Sequence, residues 1–150
     1  MTPHRILLAD ADDRLLAIHR HYLSDRGYIV AACGDALGCA DLLRSFRPDL
    51  LVLDPDLPWG QGDGVLSLMD DGELPVVPVI LVSSRPCLVH LSEAAGARVW
   101  SILLKPLSPE RLEENIRWAF AAGAEFNHIP PPASRIDPWE NRNLARFAPG

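Results

Sequence analysis

The feature that most constrains this chain is a set of five short apolar runs, each followed by a helix-period segment. The runs are Ile6-Leu7-Leu8-Ala9, Ile29-Val30-Ala31-Ala32, Leu50-Leu51-Val52-Leu53, Val79-Ile80-Leu81-Val82 and Ile102-Leu103-Leu104. They are continuous rather than alternating, the pattern of strands covered on both faces. Pro78 fits only at the start of its run, because it cannot donate within a ladder. Between the runs, Leu15, Leu16, Ile18, Tyr22 and Leu23 mark an apolar helix stripe that Gly27 ends. Ala36, Ala40, Leu43 and Phe46 mark a second stripe, closed by Pro48. Val65 to Met69 forms a short third segment and Leu88 to Ala95 a fourth. Leu112, Ile116, Ala119 and Phe120 mark the fifth, opened by a Ser108 cap with Pro109 at the first helical position. Strands alternating with helices in this way predict an α/β fold with a doubly wound, parallel five-stranded sheet.

A chain of 150 residues suits one domain with a real core. The periodic pattern stops near Gly123, so the expected division is a folded domain over 1–124 and a proline-rich tail over 125–150, flexible or docked. Trp139, Leu144 and Phe147 are among the few anchors in that tail. The longest apolar stretch is too short for a bilayer, and the N-terminus does not read as a signal peptide, which predicts a cytoplasmic protein away from membranes. A net charge of −6 argues against nucleic-acid binding, which needs a basic face. Cys33, Cys39 and Cys87 lack metal-ligand spacing and read as reduced structural thiols. The five histidines form no ligand set on one helix face.

Ligands of open α/β sheets bind beyond the carboxyl ends of the strands. Here the first run ends in Asp10, the third in Asp54, the fourth in Ser83-Ser84 and the fifth in Lys105-Pro106. Each alone could be a cap or a solvated charge. Together they would bring two carboxylates, a hydroxyl and an ammonium to one sheet edge. That set suits phosphoryl transfer to a carboxylate: Asp54 attacks phosphorus, a hard divalent cation sits between Asp10 and Asp54, and Ser83 and Lys105 hold phosphoryl oxygens.

With these residues in view, the chain resembles the receiver domain of bacterial two-component response regulators over about residues 4 to 123. "RILLADAD", "PDLLVLDPDLP", "PVILVSS" and "LLKPLSPERL" carry the resemblance. It implies a (βα)5 flavodoxin-like fold and phosphorylation of Asp54 by a histidine kinase or phosphotransfer protein. It also implies Mg2+ dependence, output through a downstream protein partner and a weak homodimer. A cis Lys105-Pro106 bond and an output face on the fourth helix, fifth strand and fifth helix belong to the same expectation. Asp10 and Asp54 would hold the metal, with Asp56 contributing mainly its backbone carbonyl.

The chain departs from the family in three places. Ala11 stands where the family has a second acid that ligates the metal, so Mg2+ binding should be weakened; Asp12 and Asp13 sit where a helix wants caps. The loop from Pro58 to Gly64 is longer than usual, with Trp59 either a lid or a packed anchor. Ile102 occupies the position of the switch aromatic, Trp100 being the nearest aromatic side chain. Two rivals follow. A pseudo-receiver would act as an interaction module without phosphate, as Ala11 suggests. The Asp54-x-Asp56 pattern also resembles haloacid-dehalogenase-type phosphatases, which need a further acidic cluster downstream of the lysine. A signalling domain rather than an enzyme is the expectation.

Overall fold

The computed structural model describes residues 2–59, 61–85 and 99–122, excluding the side chains of Gln61 and Asp63. The helix expected between Leu88 and Ala95, Cys87 and the 125–150 tail lie outside the described residues. Within them the elements run β1 (Arg5–Ala9), α1 (Asp13–Asp25), β2 (Ile29–Cys33), α2 (Ala36–Ser45), β3 (Leu50–Leu53), α3 (Gln61–Asp70), β4 (Val79–Ser83), β5 (Val99–Leu104) and α4 (Pro109–Ala121).

The strands form one sheet in the order β2-β1-β3-β4-β5, and every neighbouring pair is parallel. The order reverses between β1 and β3, where the crevice beyond the strand ends is open to a ligand. Ala9 pairs with Leu53, so the residues that follow them, Asp10 and Asp54, leave the sheet side by side.

Two cores explain the continuous apolar runs. Leu7, Leu51, Leu53 and Leu81 pack on one face with Cys39 and Leu43 of α2 and Val65 and Met69 of α3. Ile6, Leu8, Leu50 and Ile80 pack on the other with Leu23 of α1 and Leu112 and Ile116 of α4. Each fully buried Leu or Ile contributes about 1.5–3 kcal/mol, which holds the layers against the sheet.

Helix ends follow local chemistry. Asp12 caps α1, its Oδ1 accepting from the Arg14 and Leu15 amides. Asp35 caps α2 and Ser108 caps α4, with Pro109 in the first turn. Gly27 follows α1 with φ of 94°, a conformation that favours glycine.

Three sequence expectations need correction. Ile18, placed in the buried stripe, is 55% exposed, and its neighbour His19 is buried instead. The strand expected from Ile102 begins at Val99, because Ser101 is buried by bonding its hydroxyl to Asn115 Oδ1 at 2.7 Å. Helix α3 starts at Gln61, inside the glycine-rich segment expected to be loop. Gly62 is needed there for space rather than for a positive φ: a Cβ on it would lie 2.6 Å from Pro55 Cα and 3.0 Å from Asp54 O. No described helix is long and apolar enough to cross a membrane.

Candidate functional site at the carboxyl edge of the sheet

Asp10, Asp54 and Lys105 each sit one step beyond a strand and Ser83 is the last residue of β4, held by backbone bonds to neighbouring strands. The Asp10 amide donates to Cys33 O at 3.1 Å and the Asp54 amide to Ala9 O at 2.9 Å. The Lys105 amide donates to Ser83 O at 2.8 Å. The carboxylates are held further by the following turns. Asp10 accepts the Asp12 amide and Asp54 accepts the Asp56 amide, each at 2.8 Å.

Lys105 joins the two. Its Nζ lies 2.8 Å from Asp10 Oδ2 and 2.8 Å from Asp54 Oδ2. The Lys105, Asp10 and Asp54 side chains are only 22%, 9% and 12% exposed, so solvent screens these pairs less than it would at the surface. Burial pulls the Lys105 pKa down, but hydrogen bonds and charges from Asp10 and Asp54 together outweigh it and leave the pKa raised. Lys105 is therefore a fixed ammonium. Two carboxylates against one ammonium leave one excess negative charge, so an incoming dianionic group requires more positive charge.

Ser83 is buried at the end of β4, and its Oγ accepts the Arg85 amide at 3.0 Å. Asp56 turns its carboxylate outward to the Arg85 guanidinium, with Nε to Oδ2 at 3.0 Å. The Asp56 carboxylate is thus engaged by Arg85. The structure thus brings Asp10, Asp54 and Lys105 into direct contact, with Ser83 at the end of β4 and Asp56 on the turn after β3. Sequence reasoning missed Arg85. Its signal, a cation two residues beyond the hydroxyl strand end, becomes meaningful only once Asp56 is seen opposite.

The donor set partly fits a hard divalent cation: Asp10 and Asp54 offer carboxylate oxygens and Asp56 a carbonyl. Ala11 offers none, Asp12 is engaged as a cap, and the Lys105 ammonium already bridges the two carboxylates. Among the described residues, no three His, Cys, Asp or Glu side chains form a metal-holding group.

The surroundings settle smaller points. Trp59 is 75% exposed with φ of 57°, so it is not a packed anchor. Ile102 and Trp100 are both buried, on opposite cores, with Trp100 edge-on to Trp118 of α4 at 6.4 Å. Cys39 is buried and Cys33 half-buried, both free thiols. The Lys105–Pro106 bond is cis. Downstream of Lys105, Glu113 accepts from the Tyr28 hydroxyl at 3.4 Å and pairs with Arg117 on the same helix.

Comparison with known proteins gives one consistent result. The response regulator receiver domain family matches residues 6–117. The chain is 28% identical over 115 residues to the DNA-binding response regulator MtrA of Mycobacterium tuberculosis, covering 75% of this chain and 49% of MtrA. It therefore spans about half the length of that relative. It is also 28% identical over 116 residues to the polar-differentiation response regulator DivK of Brucella anthropi, covering 77% of this chain and 94% of DivK. In fold it is similar to a CheY-like receiver domain protein from Methanospirillum hungatei, with TM-score 0.72 and 23% identity over 81% of this chain and 96% of that one. The chemotaxis response regulator CheY4 of Vibrio cholerae gives TM-score 0.69 and 21% identity over 78% of this chain and 98% of that one. Sheet order, strand-end residues and family match agree: the chain belongs to the response regulator receiver domain family of two-component systems.

Proposed function

We propose that this domain is a phosphorylation-dependent switch whose acceptor is Asp54, supplied by a histidine kinase or phosphotransfer protein. The observation that carries the reading is the Lys105 ammonium held 2.8 Å from both Asp10 and Asp54 at the switch point of the sheet. An Asp54 carboxylate oxygen attacks phosphorus, forming a P–O bond as the donor's P–N bond breaks and the imidazole leaves. Lys105 and the Ser83 hydroxyl take phosphoryl oxygens. Mg2+, when bound by Asp10, Asp54 and the Asp56 carbonyl, supplies charge neutralisation at the phosphoryl group. Because Ala11 provides no ligand, that binding is weaker than a full acidic pair would give. Phosphorylation draws Ser83 away from the Arg85 amide and shifts the population of β4 and its neighbours, which a protein partner reads.

Residues 1–124 form the receiver unit in this reading, and 125–150 a proline-rich tail, flexible or docked. The net charge of −6 favours a protein partner over nucleic acid. A cytoplasmic location, where phosphohistidine donors work, and a weak homodimer complete the proposal. A second reading, an interaction module that works without phosphate, is supported by Ala11 together with the Lys105 bridge that already neutralises much of the site. Intact mass after incubation with Mg2+ and acetyl phosphate separates the two. A phosphate adduct on the parent, absent from Asp54→Ala, supports the switch. An adduct on Ala11→Asp alone supports the module.

A further inference from the structure

His19 is the one buried histidine among the described residues, and the phosphoryl chemistry above does not use it. It lies on the inner face of α1, at the position the helical period would give to an apolar side chain between Leu15 or Leu16 and Leu23. A histidine there must satisfy a ring nitrogen away from water. It does so across 88 residues of chain: Nε2 lies 3.2 Å from the Leu107 carbonyl oxygen. A carbonyl only accepts, so Nε2 carries the proton and donates. Leu107 is itself buried, two residues beyond Lys105. The bond thus ties α1 to the turn that leaves β5, and that turn carries the ammonium.

The surroundings point the same way. His19, Asp10 and Asp54 line one small cavity beneath the sheet edge, otherwise walled by apolar side chains such as Leu8, Val52 and Val82. Desolvation lowers the His19 pKa, opposed by the Leu107 bond and by Asp10, with Lys105 lowering it further. Neutral imidazole is the favoured form, with one donor aimed at the turn. Asp10 and Lys105 are the charged groups that act on it.

We infer that His19 is a positioning residue for phosphoryl transfer: its Nε2–H clamps the Lys105-Pro106-Leu107 turn to α1 and so aims the Lys105 ammonium between Asp10 and Asp54. This rests on the phosphoacceptor reading for its kinetic consequence, but not for the clamp itself. Lys105 acts on the phosphoryl group; His19 acts through Lys105.

The test compares His19→Leu, which fills the site but cannot donate, with His19→Gln, whose amide places a donor at about the reach of Nε2. Outer partners that orient a functional group are worth roughly 10–100-fold, so His19→Leu should phosphorylate from acetyl phosphate slower by about that factor. His19→Gln should recover most of the rate, and His19→Leu, which leaves the buried Leu107 carbonyl without its donor, should lower the Tm by a shift that His19→Gln largely restores. In a Lys105→Ala background the His19→Leu substitution should have no further effect. Independently of phosphate, the Lys105 ammonium resonance in a 15N spectrum should be sharp in the parent and in His19→Gln, and broadened in His19→Leu. An unchanged ammonium resonance and an unchanged rate in His19→Leu would overturn the clamp. So would an equal loss in Leu and Gln variants, or a His19→Leu effect that persists without Lys105. If the parent takes no phosphate, the phosphoacceptor reading fails, and the ammonium resonance alone still decides the clamp.

Discussion

Gly62 offers a sharp test of how the acceptor loop is supported. It lies in the first turn of α3, and its amide donates to Pro55 O at 3.0 Å, so helix and acceptor loop are joined back to back. An alanine Cβ would sit 2.6 Å from Pro55 Cα and 3.0 Å from Asp54 O. Both neighbours are backbone atoms of the acceptor strand end, so no flexible side chain can yield. Overpacking of this kind typically costs about 1–3 kcal/mol, and a double backbone clash belongs at the upper end. Against it stands the helix preference for alanine, worth about 1 kcal/mol. The net expectation for Gly62→Ala is destabilisation by roughly 2 kcal/mol. Gly64, on the same helix, has nothing within 4 Å of its would-be Cβ. Gly64→Ala should therefore be stabilised by up to about 1 kcal/mol. The difference between the two variants isolates the clash at about 3 kcal/mol, or roughly 6–12 °C in Tm for a chain of this size. Thermal and urea denaturation measure it. Equal midpoints for the two alanine variants, or a Gly62→Ala midpoint at or above the parent's, would refute the reasoning. Gly62→Ala should also slow phosphorylation, because the carbonyl of Asp54 must move.

Further outcomes follow from the same geometry. The folded-state pKa of His19 lies below its unfolded value, so the unfolded chain binds the extra proton first. Stability should fall as pH drops through about 6.5, and a pH series of urea midpoints should show that component missing from His19→Leu. The raised Lys105 pKa acts oppositely: its stabilisation is full below about pH 10.4 and is lost as pH rises through the higher folded value, a loss that alkaline melts should show reduced in Lys105→Met. The Asp56–Arg85 pair is about half exposed on both sides, so Arg85→Ala should change the urea midpoint by less than about 1 kcal/mol. A hydrogen bond with Cys33, and then burial, push the Cys39 thiol pKa far up, so iodoacetamide should label Cys39 only after urea unfolds the chain, which peptide mass would read.

Much of the fold was legible because strands buried on both faces leave an unbroken apolar signature, and four of the five runs here, all but Ile29-Val30-Ala31-Ala32, stop at a candidate site residue. Asp10, Asp54, Ser83 and Lys105 could be singled out from that position alone. Asp12 as a helix cap was equally legible, since capping is a local contact between a side chain and the next two or three amides. What escaped was non-local. Ile18 and His19 are adjacent, and hydrophobicity favours Ile18 for the core; only the Leu107 carbonyl, 88 residues away, makes the histidine the better occupant. Arg85 acquires its role from Asp56, 29 residues earlier. The first three residues of β5 were hidden because Ser101 looks solvent-bound until Asn115 is placed beside it. The early start of α3 was hidden because Gly62 signals a loop in sequence, while in space it signals close contact between a helix and the acceptor strand end.

The most direct test locates the phosphoryl group. The protein is incubated with Mg2+ and acetyl phosphate and then treated with borohydride, which reduces an aspartyl acyl phosphate to homoserine with release of phosphate. Peptide mass mapping then reads the modified position. Conversion at Asp54, absent from a sample without phosphodonor, is the predicted result. Conversion at Asp10, Asp12, Asp13 or Asp56 instead, or none at Asp54 under conditions that mark Ala11→Asp, would contradict the assignment of Asp54 as the working acceptor of this chain.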